Sequence, residues 1–156
     1  FLVEKGYDDI VPASESENDP AEHVRVSREE LCSTEAVKLM VVHPTVPAQD
    51  IYQASQRLQV PGVHATWSGF TVAEAGPAGV TKASGLERIC HLLGEDRADV
   101  VALGDGANDV EMLQWAGTSY AMGGAQPEAI AAADRRAPSC QEDGFAVVVE
   151  ELLASR

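Results

Sequence analysis

Apolar residues fall into short clusters separated by polar residues, glycine or proline, and their spacing predicts alternating strands and helices. Val100-Val101-Ala102-Leu103 is a short apolar run of the kind that forms a buried strand. It stops at Gly104-Asp105-Gly106. Asn108 then stands where a helix N-cap belongs, with Val110 and Leu113 one turn apart and an end near Gly117. Lys38 to His43 reads as another strand, closed by Pro44 and Pro47. Gln49 to Leu58 is helical, with Ile51, Ala54 and Leu58 on one face. Val63 to Trp67 and Phe70 to Ala75 read as two short strands around Ser68-Gly69.

From Lys82 a helix runs to about Leu93, with Leu86, Ile89 and Leu93 on its buried stripe and Gly94 as its stop. Ser119 to Met122 reads as a strand, Pro127 as the first residue of an alanine-rich helix through Ala133, and Arg135 to Pro138 as a short edge strand. Phe145 to Leu153 closes the chain as a helix that buries Val148, Leu152 and Phe145. Toward the N-terminus the pattern weakens. Phe1 to Glu4 looks like the middle of an element, Ser14 to Glu22 is an acidic exposed loop, and His23 to Val26 alternates as an edge strand does. Ser27 is a helix cap with Glu30 three residues on. Gly76-Pro77-Ala78-Gly79 reads as a hinge, and there is no internal repeat.

A strand, a glycine turn and a helix deliver carboxylates and helix N–H groups to the C-terminal edge of a parallel sheet, where α/β proteins bind ligands. Asp105 offers a hard oxygen suited to Mg2+, which takes one or two carboxylates plus water and phosphate oxygens. Asn108 can donate a hydrogen bond to an anion, and Asp109 can ligate the metal through water or orient its other ligands. The plainer reading makes Asp105 and Asn108 turn and cap residues only. Lys82 opens a helix, where a cation opposes the helix dipole, and that penalty points to pairing with a carboxylate and a phosphate; the alternative is an exposed, unpaired lysine. Thr81 is a cap without a chemical role. His43, His64 and His91 lack ligand spacing and read as surface or packed residues. Trp67 and Phe70 either contact a substrate or fill a local core. Met122 to Ala125 either lets the backbone pass close to the site or is a plain turn.

With 45% apolar residues in 156, the chain is globular and long enough for one ordinary domain or two small ones. Its formal net charge of −14 argues against nucleic acid and anionic membranes as partners. The same charge repels phosphorylated substrates at long range, so a site for them needs local cations, for which Lys82 and Mg2+ are the candidates. The longest apolar runs are too short to span a bilayer and no signal peptide opens the sequence. Cys32, Cys90 and Cys140 lack metal-ligand spacing and read as reduced, mostly buried residues of a cytoplasmic protein.

Gly104-Asp105-Gly106-Ala107-Asn108-Asp109 before an apolar helix resembles the last acidic motif of the haloacid dehalogenase (HAD) superfamily. Gly79-Val80-Thr81-Lys82-Ala83-Ser84-Gly85-Leu86 resembles the lysine motif of its Cof-type sugar-phosphatase branch. Ala121-Met122-Gly123-Gly124-Ala125, Ala133-Asp134 and Glu142-Asp143-Gly144 resemble that branch's ending. The likeness is good from Ser68 to Leu153 and loose before that. It implies an α/β fold: the C-terminal half of a Rossmann-like core sheet at 78–156, preceded at 1–77 by part of an α+β cap domain. It also implies Mg2+-dependent hydrolysis of small phosphorylated metabolites through an aspartyl-phosphate. Asp105 would bind Mg2+, Asn108 and Lys82 would hold the phosphate, and Asp109 would support the metal site.

The family's nucleophile comes from an Asp-x-Asp motif on the first strand, and no Asp-x-Asp occurs in this sequence. Asp8-Asp9 is no substitute, because Ile10-Val11-Pro12 follows it and no apolar strand precedes it. The chain is therefore expected to hold half an active site and half a core sheet, completed by an upstream segment or a second copy, and to be inactive alone. The rival readings are a non-catalytic binding or regulatory module and the phosphorylation domain of a P-type ATPase. A cap-like segment directly before Lys82 argues against the latter.

Overall fold

The computed structural model describes residues 1–11, 22–67 and 72–154, in two compact units, Phe1–Ala78 and Gly79–Arg156. In the first unit, strands β1 (Leu2–Glu4) and β2 (Val24–Val26) pair in parallel, Leu2 opposite Val24. Helix α1 (Tyr7–Ile10) follows β1 and α2 (Arg28–Ser33) follows β2. The Ser27 hydroxyl accepts from the Glu30 N–H at 3.1 Å, so this cap forms as the sequence predicts. A three-residue strand does precede Asp8, contrary to expectation, yet Asp8 lies in a helical turn. Its carboxylate is held by His23 at 2.8 Å and Arg25 at 2.5 Å, which keep it below the usual carboxylate range.

Strands β3 (Leu39–Val41), β4 (Val63–Trp67) and β5 (Ala73–Pro77) form an antiparallel sheet in the order β3-β5-β4, with α3 (Ala48–Leu58) between β3 and β4 in sequence. The anticipated strand–helix–strand–strand order is present, but the last strand is shifted. Gly76 and Pro77 pair with His64 and Val63, so the first half of the expected hinge belongs to the sheet. The Phe70 end of the expected strand lies outside the described residues.

In the second unit α4 (Lys82–Leu93) leads to β6 (Val101–Gly104), α5 (Val110–Trp115), β7 (Thr118–Gly123), α6 (Pro127–Ala132), β8 (Arg135–Ser139) and α7 (Gly144–Ala154). The three strands are parallel, in sequential order β6-β7-β8. Alternation along β6 decides the layering. Ala102 faces a core with Leu113, Ala116 and Ala129 from the α5 and α6 side. Val101 and Leu103 pack against the Tyr120, Ala137 and Val148 cluster, Val148 coming from α7. Leu113, only 1% exposed, contributes about 2 kcal/mol by burial.

Helix α4 has the predicted bounds, capped by Thr81 and ended by Gly94 at φ 72°. Of its predicted buried stripe, Leu86 is half-buried and the other two residues are exposed. Ile89 is 51% and Leu93 69% exposed, while Cys90 is the buried residue. The helix lies against α5, and no described element covers the Ile89–Leu92–Leu93 flank. Phe145 is likewise exposed, as are Cys32 and Cys140, so the expected burial holds for one thiol of three. No described helix is long and apolar enough to cross a membrane.

Candidate active site

The candidate site forms where β6 ends. After Gly104 the chain turns through Asp105 and Gly106 into a single 3-10 turn, Ala107–Asp109, which runs into α5. Asp109 organises the turn. One of its carboxylate oxygens, Oδ2, accepts from the N–H groups of Asp105 at 2.9 Å and Gly106 at 3.0 Å. The other, Oδ1, pairs with Lys82 Nζ. Gly104 is needed for this packing, because a Cβ there would sit 2.6 Å from the Asp109 Cβ. Asn108, half-buried in the middle of the 3-10 turn, is not the helix cap that the spacing predicts. The loop's first two N–H groups are satisfied instead by a carboxylate that reaches back from Asp109.

The next N–H group is also occupied. Ala107 donates to Gln126 Oε1 at 3.0 Å, and the Gln126 N–H donates to the Asp105 carbonyl at 2.8 Å. Three successive N–H groups, those of 105, 106 and 107, thus have acceptors within the protein. Their dipoles are not directed at a ligand, so the loop is not a backbone anion cradle. What it presents outward is the exposed Asp105 carboxylate.

Lys82 reaches the loop from α4. The capping box of its helix fixes its start: Thr81 Oγ1 accepts from the Ser84 N–H at 3.2 Å, and Ser84 Oγ accepts from the Thr81 N–H at 2.9 Å. The Lys82 side chain is 50% exposed and that of Asp109 5%, so the ammonium keeps donors open to solvent while its partner is enclosed. Burial alone would push the Asp109 carboxyl up. Hydrogen bonds from Lys82, Gly106 and Asp105, and the Lys82 charge, outweigh it and leave the group below its ordinary range.

The donor set suits a hard divalent cation in part. Mg2+ takes one or two carboxylates and otherwise water and phosphate oxygens. Asp105 offers a free carboxylate, and Asp109, with three of about four acceptor positions in use, has room for one further contact. Among the described residues no group of three or more His, Cys, Asp or Glu side chains is gathered to hold a metal.

The structure thus brings Lys82, Asp105, Asn108 and Asp109 to one loop and one helix start. The remaining candidates lie elsewhere or do other work. His43 Nδ1 accepts from the Thr45 and Val46 N–H groups at 3.2 and 3.1 Å and so anchors a turn. His64 lies in β4, His91 is exposed on α4, and Trp67 is half-buried opposite Ala73. Phe70 lies outside the described residues. Sequence reasoning missed Gln126, whose role depends on a contact 19 residues away that no local pattern announces. It also missed the reason for Gly104, although a glycine closing an apolar strand is a sign of close approach.

A parallel α/β layer with an acidic loop at the carboxyl edge and a lysine paired into it defines the class. The family model for haloacid dehalogenase-like hydrolases matches residues 7–149, and the chain belongs to that family. It is 45% identical over 75 residues to the 5-amino-6-(5-phospho-D-ribitylamino)uracil phosphatase YbjI of Escherichia coli, a match covering 48% of this chain and 28% of that protein. It superposes on the HAD subclass IIB sugar phosphatase BT4131 with a TM-score of 0.71 at 26% identity, over 82% of this chain and 47% of that one. A putative HAD/COF-like hydrolase from Plasmodium vivax shares the fold, with a TM-score of 0.81 at 19% identity, over 99% of this chain and 55% of that one. The matches cover less than a third of the length of the Escherichia coli relative and about half that of the two solved structures. The fold expected from the motifs, a HAD-type α/β core with cap elements, is the fold of these proteins.

Proposed function

We propose that this chain supplies the phosphate- and Mg2+-binding half of a phosphomonoesterase site for small phosphorylated metabolites. The nucleophilic aspartate would come from a segment outside this sequence. The observation that carries the reading is the Lys82–Asp109 pair, tied through Asp109 to the N–H groups of Asp105 and Gly106 at the end of β6. In this reading Asp105 holds the cation. Lys82 turns its solvent-facing donors to a phosphate oxygen, the Asn108 amide donates to another, and Asp109 keeps Lys82 and the loop in register. Mg2+, when bound, offsets the charge on the transferring phosphoryl group.

The reading that the sheet is completed by another segment rests on two features of the second unit. The outer edge of β6 carries no strand among the described residues, and the Ile89–Leu92–Leu93 flank of α4 is 51 to 73% exposed. An unpaired strand edge and an exposed apolar helix flank are each surfaces that a further segment would cover. The three free cysteines suit a reducing compartment such as the cytoplasm.

The test is Mg2+-dependent hydrolysis of p-nitrophenyl phosphate by the chain alone, together with the intact mass of the native protein. The expected result is no turnover by the chain, and a native mass that includes an upstream segment bearing Asp-x-Asp. Turnover by the chain that is lost in Asp105→Ala would refute the half-site reading. A native protein of this mass, or a dimer of it, would favour the binding-module alternative, since the sequence carries no Asp-x-Asp.

A further inference from the structure

We propose that Gln126 is a positioning residue for the cation-binding loop, holding it from the turn after the neighbouring strand. The inference rests on the reading of Asp105 as the cation ligand. Gln126 grips the loop on both sides of Gly106. Its N–H donates to the Asp105 carbonyl at 2.8 Å, and its side-chain Oε1 accepts from the Ala107 N–H at 3.0 Å. Gly106 lies between these two clasps, and glycine is the residue whose backbone most needs external restraint.

Gln126 is itself fixed from its own side. Its backbone is extended, φ −64° and ψ 152°, as a residue before proline favours, and Pro127 opens α6 directly after it. Its carbonyl accepts from the Ile130 N–H at 3.0 Å, and the Ala125 N–H closes the preceding turn on Met122 at 3.0 Å. Ala129, fully buried beside Leu113, locks α6 onto α5. The loop that leads into α5 is thus held at both ends by elements already packed together.

The chemistry requires an acceptor two methylenes from the backbone. Gln126→Leu keeps the shape and the main-chain clasp on Asp105 but leaves the half-buried Ala107 N–H without its partner. Gln126→Glu keeps the acceptor.

The experiment follows amide hydrogen exchange by NMR in the full chain, with Mn2+ affinity read by electron paramagnetic resonance. In Gln126→Leu, exchange at Ala107 should rise roughly tenfold, the loss of about one neutral hydrogen bond, while Ala121 in β7 stays unchanged. Mn2+ should bind several-fold more weakly, and Gln126→Glu should restore protection at Ala107. Unchanged exchange at Ala107, an equal rise at Ala121, or faster exchange with unaltered Mn2+ affinity would each overturn the proposal. Failure of the wild-type chain to bind Mn2+, or equal binding by Asp105→Asn, would instead refute the cation reading of Asp105. The exchange at Ala107 would then decide the Gln126 clasp by itself.

Discussion

Replacing Asp109 by asparagine tests the centre of the site with the least change of shape. The amide oxygen can still accept from Asp105 and Gly106, as the carboxylate Oδ2 does at 2.9 and 3.0 Å. The amide nitrogen then faces Lys82 Nζ, so a donor meets a donor where an ion pair stood. A hydrogen bond to a charged group contributes about 1.5–3 kcal/mol. Lys82 is 50% exposed, and solvent screening places the expected loss near the lower end, about 1.5 kcal/mol. Asp109→Ala also strands two N–H groups, one of them on buried Gly106, and should cost about 3–4 kcal/mol in all.

Urea unfolding followed by Trp115 fluorescence in a Trp67→Phe background reads the second unit alone, because these are the two tryptophans and Trp115 ends α5. The pH dependence has a definite sign. The folded-state pKa of Asp109 lies below the ordinary 3.8, so its contribution is complete above that value and is lost as pH falls through the folded one. The wild type's advantage over Asp109→Asn should therefore shrink as the pH falls below about 3.8. Equal stability of the two at neutral pH, or a gap that widens on acidification, would refute the reasoning.

Gly104→Ala would place a Cβ 2.6 Å from that of Asp109 and should cost about 1–3 kcal/mol by overpacking, measured by thermal unfolding. Thr81→Ala removes the hydroxyl that accepts from the Ser84 N–H and should cost about 1 kcal/mol in urea, with Thr81→Ser close to wild type.

Local signals were legible where local chemistry decides. Thr81 and Gly94 bound α4 as predicted, Pro127 opens α6, and Val63 to Trp67 is a strand of the predicted extent. Burial was not legible for α4. Leu86, Ile89 and Leu93 sit at helical spacing, but spacing gives only which residues share a face; whether that face is covered depends on neighbours elsewhere in the fold. The cap at Asn108 misled for a related reason. Asn is a good cap by propensity, yet Asp109 is placed to bond the Asp105 and Gly106 N–H groups and Lys82 together, and that tertiary contact prevails over local preference. The resemblance to the family's lysine and acidic motifs brought Lys82 and the 105–109 loop into one argument although 27 residues separate Lys82 from Asp109.

The closed hydrogen bonding of the loop bears on the order in which ligands arrive. With the Lys82 charge matched by Asp109 and the N–H groups of 105 to 107 taken up within the protein, Asp105 is left, among the described residues, as an uncompensated carboxylate. A free phosphate ester approaching this surface, on a chain of net charge −14, meets repulsion first. If Asp105 holds a cation, as proposed, that cation would reverse the local sign. Under that proposal, affinity for the anion would be linked to cation occupancy, and each ligand would strengthen the binding of the other by the same factor.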